Sequence, residues 1–221
     1  VMGYGAAYEE ALDMDMRGCY ETGVRANESS TAEGYINCAK AVEYVFSNGF
    51  DKGINEQVGI KTGELAEFTS FEDFYAAFLK QLDYLIEKMI EISNDQDRFL
   101  SYVNPSSMFS ATTEYALKCG KDAYFNGLKF NNTALLCCAF ASAVDSLMAV
   151  KKFVYADKKV TLKELSAALD ANWQGYERLC LQIRNSPVRY GNNNPEADIY
   201  AAAIADYYSG RVNNIPNGRG G

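Results

Sequence analysis

Phe71, Phe74, Tyr75, Phe78, Leu82, Leu85, Met89 and Ile92 recur at helical spacing along a single stripe. A helix with one apolar stripe this long must bury it against neighbouring elements, so the stripe limits how the chain can pack. Thr69-Ser70-Phe71-Glu72 offers a capping box ahead of it, and Ser93-Asn94-Asp95 marks the expected end. The aromatic part of the stripe, Phe71 to Phe78, reads as core.

Most of the remaining chain also reads as helix. Short helices are expected over 8–16 and 110–119, and a longer one over 31–47 that Asn48-Gly49 closes. The apolar stretch 133–153 reads as a buried helix, because Ser142 and Asp145 interrupt it and Lys151-Lys152 follow. Thr161 with Glu164 opens a helix to Trp173, and 176–185 continues helical until Pro187. Asn194-Pro195-Glu196 supplies a cap, a first-turn proline and a first-turn acid for a helix to Tyr208. Residues 51–69 and 120–132 read as loops, and Phe99 to Val103 as a short strand or extended segment. No repeat, low-complexity tract or inter-domain linker stands out.

Charge and residue usage narrow the chemistry. With 21 basic against 29 acidic residues and a net charge of −8, the chain has no basic run for nucleic acid, and no such partner is expected. Histidine is absent, so a Ser-His-Asp triad, a Cys-His dyad and a His-ligated zinc are excluded for this chain. The six cysteines, at 19, 38, 119, 137, 138 and 180, show neither CxxC nor finger spacing, so no metal site is expected. The adjacent Cys137-Cys138 reads as packing within the apolar helix. A cytoplasmic, reducing setting is the expectation, with no membrane span and no signal peptide. Both ends of the chain read as cuts.

The residues best able to carry chemistry are Cys19 and Glu21. The helix ahead of them ends at Gly18, and Gly23, Asn27, Ser29 and Ser30 follow, so the two share an expected loop over 17–23. In an extended loop an i, i+2 spacing sends both side chains to one side. A neighbouring carboxylate disfavours a thiolate, so the pair suits a thiol that reacts by losing a hydrogen atom rather than a nucleophile.

Gly18-Cys19-Tyr20-Glu21 resembles the Gly-Cys-x-Glu cysteine loop of the glycyl radical enzymes, the pyruvate formate-lyase-like superfamily. Further segments match in family order. They are the 37–48 stretch with Gly49, Thr62-Gly63-Glu64, Phe68 to Glu72, Gly120-Lys121-Asp122, Val144 to Lys152, Tyr190 to Asp198, and Asn217 to Gly221. The resemblance implies an α/β fold, the helix-rich part of a ten-stranded β/α barrel of the pyruvate formate-lyase type. Residues 1–221 would form part of that barrel domain, and the C-terminal glycyl radical domain is absent from the stretch.

The same resemblance implies a mechanism in which a thiyl radical on Cys19 takes a hydrogen atom from a small organic substrate. Glu21 would act as base on a substrate hydroxyl, leading to radical elimination, a dehydratase or lyase reaction, under anaerobic conditions. No cofactor is expected in this chain, and the protein glycyl radical would lie outside it. The implied partners are a radical S-adenosylmethionine activating enzyme and a second copy of the chain. Cys19-Tyr20 in place of two adjacent cysteines disfavours formate acetyltransferase chemistry. A decarboxylase or formate acetyltransferase-like member, and an inactive helical interaction module, are the other readings.

Overall fold

The computed structural model describes residues 2–17 and 21–221. In chain order the elements are α1 (Tyr8–Leu12), β1 (Met14–Arg17), β2 (Glu21–Val24), β3 (Glu28–Asn37), α2 (Cys38–Phe46), β4 (Phe50–Asp51), β5 (Glu56–Gln57), α3 (Phe71–Val103), α4 (Ser107–Ala111), α5 (Glu114–Cys119), β6 (Phe130–Cys138), α6 (Phe140–Ala149), α7 (Leu162–Asp170), α8 (Glu177–Arg184) and α9 (Pro195–Val212). A π-helical segment, Val150–Ala156, extends α6. The strands pair two by two, β1 with β2, β3 with β6 and β4 with β5, giving the helix-rich α/β make-up expected. Two compact units emerge: Val1–Tyr35, Met89–Leu136 and Asn214–Gly221 make the first, and Ile36–Lys88 and Cys137–Asn213 the second. The chain passes between them within β3, α3 and β6 and after α9, so neither unit is a continuous stretch with a legible linker.

In the first unit, β1 and β2 form an antiparallel pair whose register runs from Met14↔Val24 to Arg17↔Glu21. The helix expected over 8–16 stops at Leu12. A helix this short gains little from propensity, and the alternating Met14-Asp15-Met16 takes the strand partner that β2 offers. β3 occupies residues where helix was expected from Thr31, and β6 residues where it was expected from Thr133. Both departures have one cause: β3 and β6 are each other's partners, about a hundred residues apart in sequence, and the ladder outweighs local helical pattern. The strands start together, with Phe130 N–H donating to Asn27 O (3.0 Å) and the Asn132 amide to Glu28 (2.7 Å).

α3 runs eight residues beyond the stop expected at Ser93-Asn94-Asp95 and absorbs the segment expected as strand. The reason is tertiary. Asp97, wholly buried, holds the Nε of Arg219 at 3.0 Å, and the Arg219 side chain is equally sealed. The same carboxylate accepts from Thr133 Oγ1 (2.8 Å), while Asn94 donates to the Pro216 carbonyl (3.3 Å). Arg219 also donates to Ser29 Oγ (3.2 Å) and to the Asn132 carbonyl. Asn217 turns the strap back on itself, accepting from Arg219 N and Gly221 N and donating to the Asn131 carbonyl. A side chain at Gly218 would collide with the Asn94 carbonyl and the Asp97 Cβ, so glycine lets the strap lie against α3. Asp122 staples the loop before β6 by accepting from Ser106 N (2.6 Å) and Tyr124 N (2.9 Å).

In the second unit, α2 packs on α6 and α6 on α9. Val45, Phe74, Phe78, Leu82, Ile86, Leu147, Met148 and Ile204 are buried there, as the aromatic half of the stripe implied. Asn37 caps α2 by accepting from Ala39 N and Lys40 N, which places the helix start at Cys38, seven residues beyond Thr31. The cap of α3 is displaced one residue from Thr69/Glu72. Asp73 accepts from Thr69 and Ser70 N–H, and Ser70 Oγ accepts from Asp73 N. The Thr161/Glu164 box and the Asn194 cap form as expected.

Two hydrogen-bonded junctions join segments that the sequence matched separately. Asn48 Oδ1 accepts from Thr62 N (2.8 Å) and Gly63 N (3.2 Å), and its amide donates to Glu64 (3.1 Å). Asp145 accepts from Arg189 Nε (3.0 Å) and Tyr190 N (2.9 Å), fixing α6 to the segment ahead of Asn194. Buried Gln81 serves as a backbone surrogate, accepting from Ile60 N (3.1 Å) and donating to Ile60 O (2.6 Å).

Two measurements follow from these contacts. Asp97→Asn leaves the buried guanidinium without its counter-charge and should cost about 3–5 kcal/mol in urea unfolding. The pair Asp97→Leu with Arg219→Met should fall short of the summed single losses by about 1–3 kcal/mol. Asp51 accepts from Tyr44 Oη (2.7 Å) and pairs with Lys40 (3.0 Å). The tyrosine hydrogen bond, then the lysine, hold its carboxyl down at about 2. Its contribution to stability is therefore complete above the unfolded carboxyl value of about 4 and lost as pH falls towards 2. Asp51→Asn should remove that part of the acid dependence of the melting temperature.

Candidate active site

The cysteine-loop residues belong to the first unit. Cys19, with Gly18 and Tyr20, lies outside the described residues, between the ends of β1 and β2 in sequence. Glu21 is not in a loop but is the first residue of β2, half-buried and opposite Arg17 in the register. A strand fixes the backbone of Glu21 better than a loop would.

What fixes the hairpin is a residue that the sequence reading passed over. Glu28, the first residue of β3, is buried at 5% exposure. One carboxylate oxygen accepts from Val24 N at 2.7 Å, and the other from the Asn132 amide at 2.7 Å. A single acid thus ties the end of β2 to the start of β6. Asn132 is shared further, since its carbonyl accepts from Arg219, which pairs with Asp97. Polar contacts therefore run without a break from the hairpin to the 217–221 strap. Nothing local distinguishes Glu28 from any other acid, because its role depends on Asn132, over a hundred positions later.

Cys137 and Cys138, expected within a helix, are half-buried at the end of strand β6. Ala139, the next residue, takes a left-handed conformation (φ 53°) that turns the strand into α6. Cys137 Sγ stands 2.8 Å from Cys38 Sγ, so it is not simple packing.

The second unit also holds a cleft of about 580 Å³ with Val42, Phe46, Leu165 and Trp173 in its lining. Its rim carries the ion pairs Lys52–Asp170 and Arg189–Asp145, whose charges offset each other. Glu21, Cys137 and Cys138 are not among the residues that line it. Among the described residues, no group of three His, Cys, Asp or Glu is placed to hold a metal ion, and no helix is long and apolar enough to cross a membrane.

Among the described residues, strands pair two by two between helices, and the buried Glu28 carboxylate anchors the end of β2. The family model described as pyruvate formate lyase-like matches residues 1–221, and the chain belongs to that family. Trans-4-hydroxy-L-proline dehydratase of Clostridioides difficile is 32% identical over 221 residues, covering 100% of this chain and 28% of the relative. (2S)-3-sulfopropanediol dehydratase of Klebsiella oxytoca is 30% identical, covering 100% and 27%.

Among solved structures, hydroxyproline dehydratase of Clostridioides difficile with trans-4-hydroxy-L-proline bound superposes at a TM-score of 0.93 and 32% identity. The B12-independent glycerol dehydratase of Clostridium butyricum superposes at 0.89 and 30%. Each superposition covers 100% of this chain and 28% of the other. The fold is thus that of the pyruvate formate-lyase type, as the sequence implied, and the chain spans little more than a quarter of the length of the curated relatives it matches.

Charge-assisted hydrogen bonds of this kind are each worth about 1.5–3 kcal/mol. Glu28→Ala should therefore raise amide hydrogen exchange at Val24 by about 10–100-fold, and Glu28→Gln, which keeps one acceptor, by less.

Proposed function

We propose that the protein to which this chain belongs is a glycyl radical dehydratase or lyase acting on a small hydroxylated substrate. The observation that carries the reading is the Gly18-Cys19-Tyr20-Glu21 sequence in a chain matched over its whole length by dehydratases. The placement of Glu21 in strand β2, whose far end Glu28 anchors at Val24, supports it.

In this reading the Cys19 thiyl takes a hydrogen atom from a substrate carbon, giving a thiol and a carbon radical. Thiol S–H and activated C–H bonds are close in strength, so the transfer can reverse. Glu21 takes the proton of the hydroxyl on that carbon. The resulting negative charge beside the unpaired electron helps expel a leaving group from the neighbouring carbon. The product radical then recovers the hydrogen atom from the Cys19 thiol. A backbone glycyl radical, outside residues 1–221, would supply the unpaired electron. Its formation would need a radical S-adenosylmethionine activating enzyme. A homodimer in the cytoplasm of an anaerobe completes the proposal, with residues 1–221 as part of one barrel domain. Cys19 stands beside Tyr20 and not a second cysteine, which favours elimination over formate acetyltransferase chemistry.

The test is anaerobic turnover by the activated full-length protein, offered diols, amino alcohols and hydroxyproline, with products identified by mass spectrometry. Cys19→Ala should abolish product. Glu21→Gln should lower kcat by about 10²–10⁴-fold while the glycyl radical signal persists, as expected for loss of a general base. Turnover by Cys19→Ala would end the thiyl reading, and undiminished dehydration by Glu21→Gln would end the base role.

A further inference from the structure

We propose that Cys38 and Cys137 form an oxidisable dithiol that takes a peroxide as its reactant and closes to an intrachain disulfide. The proposal is independent of the dehydratase reading, because neither sulfur takes part in that chemistry.

Both residues lie in the second unit. Cys38 is the first residue of α2 and wholly buried, while Cys137 is half-buried near the end of β6. Their sulfurs stand 2.8 Å apart, the two thiols being held together by elements far apart in sequence. The sulfurs have less than 1 Å to close to reach the bonding distance of about 2.05 Å. The environment also divides the labour between them. The hydrogen bond between the sulfurs, followed by burial, pushes the Cys38 thiol up, so it stays protonated. The same hydrogen bond holds the Cys137 thiol down. Cys137, the more accessible of the two, is therefore the attacking sulfur, and Cys38 the proton donor beside it.

The chemistry balances in two steps. The Cys137 thiolate displaces hydroxide from hydrogen peroxide, so sulfur is oxidised to a sulfenic acid, one peroxide oxygen is transferred and the other leaves reduced. The Cys38 sulfur then attacks Cys137 Sγ, the S–S bond forms and the sulfenic oxygen leaves as water, with the Cys38 proton on it. In sum, two thiols and one hydrogen peroxide give one disulfide and two waters. The bond links the first turn of α2 to the end of β6. Cys138 is adjacent in sequence, but the contact to Cys38 is made by Cys137.

The experiment treats the reduced, full-length protein with hydrogen peroxide and maps tryptic peptides without reductant. Cleavage after Arg25, Lys40, Lys129 and Lys151 puts Cys38 in the 26–40 peptide and both Cys137 and Cys138 in the 130–151 peptide. Expected is a covalent link between these two peptides, unchanged in Cys138→Ser and absent in Cys137→Ser. In Cys38→Ser the attacking sulfur has no resolving partner, so a dimedone adduct should accumulate on the 130–151 peptide. Cys119, exposed and in the first unit, serves as the internal comparison. Oxidation of Cys119 with Cys38 and Cys137 still alkylatable as thiols would overturn the proposal. A link that survives in Cys137→Ser but not in Cys138→Ser would overturn it as well.

Discussion

The buried Asp97–Arg219 pair is the contact on which the first unit turns. An isolated charge in that interior would be very costly, so each partner commits the element that carries it. Asp97 commits the second half of α3 to remain helical through a Ser-Asn-Asp sequence that would otherwise end it. Arg219 commits the 217–221 strap to lie where its fork can also reach Ser29 Oγ and the Asn132 carbonyl. The side chains of β3, β6, α3 and the strap thereby share one polar centre. Glu28 extends that centre to the end of β2 at Val24.

The second unit is organised differently. Its stability rests on apolar helix faces, with polar side chains used as local fasteners at the ends of elements. Gln81 replaces a missing strand partner for Ile60, and Asn48 does the same for Thr62 and Gly63. Lys151 illustrates the economy of such fasteners: its ammonium pairs with Glu196 at 2.6 Å and sits 4.7 Å from the Tyr200 ring centroid, joining the π-helical segment to α9 twice.

Several elements were legible from local sequence because their signals are local. The Thr161/Glu164 box, the Asn194-Pro195 start and the aromatic stripe after Ser70 all act within a turn or two of the residues that display them. The family segments were legible too, though not what they do. That Asn48 reaches Thr62-Gly63-Glu64, or that Asp145 reaches Arg189-Tyr190, is invisible until the chain folds. Cys137 shows the cost of local reading most clearly. In an apolar run it looks like filler, yet folding sets it against Cys38.

Residue order alone was sufficient for the starts of α7 and α9 and for the absence of histidine chemistry, since each depends only on neighbours or on composition. Three dimensions decided that 28–37 and 130–138 are strands, that α3 continues to Val103, and that Glu28 and Arg219 matter at all. A strand ladder and a buried ion pair both need a partner from a distant part of the chain. Until that partner arrives, the same residues satisfy the rules for a helix, a turn or an exposed charge equally well.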